Sequence, residues 1–133
     1  VGYGYGPKAL IDLLHRVRQP FNVNAIAQAA ATAALDDREH LERTREINAA
    51  GLRQIEAGLK KLGLAFTPSV ANFIMFRVAK AREVFLGLQS RGVIVRPLAP
   101  YDLPEHLRVT IGTAEQNTRF LEALAQVLPT TRP

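Results

Sequence analysis

The chain has 133 residues, enough for one real core, and its 47% apolar and 22% charged content is ordinary for a globular protein. It has no cysteine, which excludes disulfides, thiolate metal sites and a cysteine nucleophile, and no apolar run approaches the roughly 20 residues of a membrane span. Seventeen basic against 12 acidic residues give a formal charge of +5, but the positive charges are scattered and lack the aromatic interleaving of a nucleic-acid surface.

The three histidines, His15, His40 and His106, show no metal-ligand spacing, and with no signal-peptide pattern a cytoplasmic setting is the default. Val1-Gly2-Tyr3-Gly4-Tyr5-Gly6-Pro7 reads as the end of a strand entering a glycine-rich turn, without the spacing of a phosphate loop or a dinucleotide fingerprint. A domain rarely begins there, so an excised piece is expected.

From Pro7 to about Arg18 the spacing of Leu10, Ile11, Leu14 and Val17 predicts a helix, broken at Gln19-Pro20. Asn24 suits the cap of an alanine-rich helix reaching Leu35, and Asp36 with Glu39 suits a capping box for the next. That next helix runs through Leu41, Ile47, Leu52, Ile55 and Leu59 to a Gly63 stop. At about 25 residues and roughly 38 Å it is long enough to connect two bodies.

After Gly63 the pattern mixes strands and helices. Strands are predicted at Leu64–Thr67, Asn72–Val78, Val93–Arg96 and Leu107–Ile111. Helices are predicted at Ala81–Ser90 and from a Thr113 cap with Gln116, with Phe120, Leu121, Leu124 and Val127 inward. The predicted class is α+β: a long connecting helix followed by a small mixed sheet covered by helices.

Two of these strands carry an arginine inside an apolar run. Alternation sets Leu107, Val109 and Ile111 on one face and Arg108 with Thr110 on the other, and likewise opposes Val93 and Val95 to Ile94 and Arg96. A guanidinium on a buried strand is costly unless an anion or a carboxylate meets it. Spacing alone leaves two readings: a pocket for an acidic ligand, or two structural ion pairs.

The segments VGYGYGPKALIDLLHRVRQPFNVNAIAQAAATAAL, ANFIMFRV, RGVIVRPL and HLRVTIGTAEQNTRFLEAL together cover nearly the whole chain. In them the chain resembles the C-terminal part of the histidinol-phosphate aminotransferases, a branch of the fold-type-I enzymes that depend on pyridoxal phosphate. The resemblance implies the small domain of that fold, with residues 1–35 a remnant of the large cofactor-binding domain, 36–62 the connecting helix, 63–130 the small domain and 131–133 a tail. It implies amino transfer between glutamate and imidazole-acetol phosphate in histidine biosynthesis, an anionic substrate and a homodimeric parent.

Residue by residue, Arg108 matches the family arginine for the substrate carboxylate or phosphate, and Arg96 a second arginine for the phosphate. Asn72 matches a similar Ala-Asn-Phe, where either a substrate contact or a turn role is open. The family's aldimine lysine, in a serine-lysine segment, and the arginine before Val-Gly-Tyr are expected upstream of Val1. Lys8, Lys60, Lys61 and Lys80 do not match its context. The chain alone is therefore expected to bind no pyridoxal phosphate and to be inactive. The alternatives are a related class I/II aminotransferase, the small domain of a phosphothreonine decarboxylase, or a non-catalytic anion-binding remnant.

Overall fold

The computed structural model describes residues 1–128, so the predicted tail at 131–133 lies outside the described residues. The chain divides into two compact units, Val1–Glu42 and Arg43–Pro133.

In the first unit, α1 (Lys8–Val17) follows Pro7, and α2 (Ala25–Asp36) starts where the Asn24 side chain accepts from the Ala27 N–H at 2.8 Å. Neither helix buries a residue: Leu10 and Leu14 are each 51% exposed. One cap differs from expectation. Asp36 completes α2, and Asp37 begins α3 (Arg38–Lys61), its carboxylate accepting from the His40 N–H at 2.9 Å. Both aspartates are competent caps; the one that leaves helical backbone geometry takes the role.

In the second unit, α3 ends where Gly63 adopts φ +70°, the Leu64 N–H reaching back to the Leu59 carbonyl and the Gly63 N–H to that of Lys60. This pair of hydrogen bonds is the Schellman closure that a left-handed glycine permits. Then follow β1 (Phe66–Thr67), β2 (Phe73–Arg77), α4 (Ala81–Gln89), β3 (Arg96–Pro97), a 3-10 turn (Ala99–Tyr101), β4 (His106–Thr110) and α5 (Ala114–Val127). The sheet order is β1-β2-β4-β3, and all three pairings are antiparallel, which refines the expectation of a mixed sheet. Because β2 and β3 both oppose β4, they run the same way, and α4 joins them across the strand between: a split β-α-β unit.

The sheet has two unlike faces. Ile74, Phe76, Leu107 and Val109 turn inward and are buried with Ile55 and Leu59 of α3, Val84 and Leu88 of α4, and Phe120 and Leu124 of α5. Phe76 meets Phe120 edge-on, ring centroids 5.9 Å apart. The alternating residues Phe73, Met75, Arg77, His106, Arg108 and Thr110 form the outer face. The predicted strand Val93–Arg96 is a correction: only Arg96 and Pro97 pair with β4. The chain leaves α4 through the left-handed Gly92, Val95 sinks into the core, and a cavity of about 380 Å³ lies between residues 92–94 and the end of β4.

Candidate functional site

The register of β3 on β4 sets Arg96 directly opposite Arg108. Residues so paired have Cβ atoms roughly 5 Å apart, and like charges there repel. Both arginines line an open cavity of about 390 Å³ whose walls include Ile94 and Thr110. Arg96 is exposed; Arg108 is half-buried, with its Nε shielded from solvent and lacking a hydrogen-bond partner. Its guanidinium carbon lies 4.6 Å from the centroid of the Phe73 ring.

Among the described residues no carboxylate pairs with either arginine. The contrast lies on the same face: Arg77 donates through Nε to Glu105 at 2.9 Å and through Nη2 at 2.5 Å. The ion-pair reading left open for Arg96 and Arg108 finds no carboxylate partner among the described residues, and the two form an uncompensated pair of positive charges. Each guanidinium fork can donate two parallel hydrogen bonds to an oxyanion.

Asn72 is not part of this cavity. Its backbone carbonyl accepts from the Ile111 N–H at 2.8 Å, extending the β2–β4 ladder by one bond. Asn72 borders a separate cavity of about 480 Å³ with Asn48 and Thr113, where Asn48 donates to the Ala71 carbonyl at 3.2 Å. The structure thus brings Arg96 and Arg108 together and leaves Asn72 apart from them.

A network behind the end of β4 was missed from sequence. Asn117, only 2% exposed, accepts from the Gly112 N–H at 2.9 Å and donates to the Gly112 carbonyl at 3.1 Å and to Gln54 at 3.2 Å. Its spacing from Phe120 and Leu124 placed it on the buried face of α5, a readable signal that a polar group there needed partners. Phe73 and His106 of the outer face were likewise not singled out; the His106 Nδ1 is shielded and unpartnered.

The lysines lie away from the arginine cavity. Lys8 is paired with Asp12 at 2.6 Å, Lys80 with Glu83 at 3.3 Å, and Lys60 lies 5.7 Å from the centroid of the Phe66 ring. Lys61 borders a different cavity, between α3 and α5, and no lysine lines the arginine cavity. No group of three metal-ligating side chains and no helix long and apolar enough to cross a membrane occurs among the described residues.

A family model described as aminotransferase class I and II matches residues 1–124. The histidinol-phosphate aminotransferase of Methylobacillus flagellatus is 55% identical over 130 residues, which is 98% of this chain and 35% of that protein. Among solved structures, histidinol-phosphate aminotransferase from Sinorhizobium meliloti in complex with pyridoxal-5'-phosphate superposes with a TM-score of 0.78 at 27% identity, covering 90% of this chain and 34% of that one. Thermus thermophilus aspartate aminotransferase with maleate gives 0.76 at 28%, covering 92% and 35%. The chain spans about a third of the length of the curated relatives it matches.

Proposed function

The chain belongs to the aminotransferase class I and II family, and from that premise we propose that it supplies the substrate-anion grip of an aminotransferase of the histidinol-phosphate branch. The observation that carries this reading is Arg96 facing Arg108 across β3 and β4, with no carboxylate on either among the described residues. A phosphomonoester such as imidazole-acetol phosphate brings the two negative charges that this pair lacks, and the carboxylate of glutamate would use the same grip in the other half-reaction. The 55% identity to a histidinol-phosphate aminotransferase supports the branch.

In this reading residues 36–62 connect two bodies and residues from 63 onward form the small domain, which closes over the substrate. Residues 1–35 belong with the cofactor-binding body, and the whole enzyme is a homodimer. Pyridoxal phosphate, where the family binds it, holds the amino group in transit. In this reading the chain's own part is to bind and orient the anionic end. Holding that end fixes the reacting geometry, and closure excludes water.

The test is a titration of this chain with histidinol phosphate and with maleate, following the Arg108 Nε–H and the Arg96 amide by NMR. Saturable shifts that histidinol phosphate produces at lower concentration than maleate are expected. Preference for maleate would move the assignment to a dicarboxylate aminotransferase, and no shift with either would refute the grip. Borohydride reduction in the presence of pyridoxal phosphate is expected to label no single lysine; specific labelling of one would refute the division of labour.

A further inference from the structure

The Arg108 guanidinium makes no hydrogen bond within the described residues, and its Nε is buried without an acceptor. An arginine carries several rotatable bonds and loses considerable rotamer freedom when fixed. Something else must therefore hold it. Directly opposite on β2 stands Met75, and diagonally, opposite Thr110, stands Phe73. Diagonal neighbours on one sheet face lie within reach of long and aromatic side chains. The Phe73 ring takes that place, its centroid 4.6 Å from the guanidinium carbon. On the other side, Arg96 repels.

We propose that Phe73 is a positioning residue for anion binding: its ring face holds the Arg108 guanidinium against the repulsion of Arg96, so that both forks meet one doubly charged oxyanion. The proposal rests on the anion-grip reading above and adds the group that presets it. A cation over a ring face is attracted by the ring quadrupole, more strongly where water is partly excluded, as around a half-buried Arg108. Preset geometry raises affinity because less motion is lost on binding.

The experiment uses the whole 133-residue chain, inorganic phosphate as probe, and chloride at matched ionic strength as control. Phe73→Leu keeps apolar bulk but removes the ring, Phe73→Met serves in its place if leucine disturbs β2, and Phe73→Tyr retains the ring. The ringless variants are expected to bind phosphate about three- to tenfold more weakly, and Phe73→Tyr to match the unsubstituted chain. The Arg108 Nε–H signal is expected to be dispersed and slowly exchanging with a ring at position 73, and averaged without one. A folded Phe73→Leu chain with the same signal and the same affinity overturns the proposal. If the unsubstituted chain shows no phosphate-dependent shift at Arg96 or Arg108, the anion-grip reading fails by itself. The Nε–H comparison then decides the platform alone, an unchanged signal overturning it.

Discussion

Replacing Arg108 with alanine separates a binding role from a structural one. In the unliganded chain the change removes a cation directly opposite Arg96 and an Nε buried without a partner. The first relief is worth about 0.2–1 kcal/mol and the second about 1–3 kcal/mol. Against this, the alkyl stem of a half-buried arginine leaves its packing, costing about 1–2 kcal/mol, and the contact with Phe73 goes, costing about 0.5–1 kcal/mol. The terms nearly cancel, so stability without anion should change by no more than about 1 kcal/mol. Anion affinity should behave differently. Losing charged hydrogen bonds from such a site costs about 1.5–3 kcal/mol, roughly ten- to a hundredfold in Kd. Phosphate at about 100 times the original Kd stabilises the parent chain by about 2.7 kcal/mol, and the Arg108→Ala chain by only about 0.4–1.4 kcal/mol. Urea unfolding followed by circular dichroism, with phosphate and with chloride at equal ionic strength, reads both quantities. A variant that loses more than about 2 kcal/mol without phosphate while keeping the full phosphate increment would refute the reasoning.

Asn117→Leu should destabilise the second unit by about 2–4 kcal/mol in the same unfolding assay, because it strips partners from both the N–H and the carbonyl of Gly112. Gly51→Ala should also destabilise, by about 1–3 kcal/mol, despite the better helix propensity of alanine. A methyl at Gly51 would overlap the Ile111 side chain and come within 2.8 Å of Asn117 Nδ2. The carboxylate of Glu115 is held below the ordinary glutamate range, first by a hydrogen bond to its own backbone and then by the Thr113 hydroxyl, which donates to it at 2.8 Å. A lowered folded pKa contributes stability above the ordinary value and loses it as pH falls through the folded one. Glu115→Gln should therefore flatten the acid limb of the stability–pH curve below the ordinary glutamate range, and an unchanged acid limb would contradict the assignment.

What the sequence revealed depended on how local each signal was. Asn24, Thr113 with Gln116, and Gly63 are read within one turn of chain, and each caps where expected. Strand alternation is equally local, and it correctly separated Arg108 from Leu107 and Val109. Adjacent aspartates defeat the same logic: Asp36 and Asp37 both suit a cap, and only the exit angle of α2 decides between them. Register is not local at all. No feature of RGVIVRPL says that Arg96, rather than Ile94, will stand opposite Arg108; that depends on where the chain rejoins the sheet after Val95 turns inward. The same holds for Phe73, which met Arg108 only through the pairing of β2 with β4. At Asn72 the residue type draws notice to the side chain, while the contact that depends on register is made by the backbone carbonyl.

The outer sheet face provides its own control for the electrostatic argument. Arg77, exposed at the far end of β2, is answered by Glu105, so this fold can place a carboxylate beside an outer-face arginine. An exposed pair of that kind contributes little to stability, about 0–1 kcal/mol. Arg108 is less exposed than Arg77, so a carboxylate beside it would relieve more, yet the other cavity walls are Phe85, Ile94, Val95, Pro97 and Thr110, with the Phe73 ring against Arg108. Stability alone gives no reason to keep both cations. On the proposed reading, their opposition is fully offset only when two negative charges arrive together, so a dianionic phosphate ester should bind more tightly than a lone carboxylate: one charge would leave the second arginine still repelled by the first.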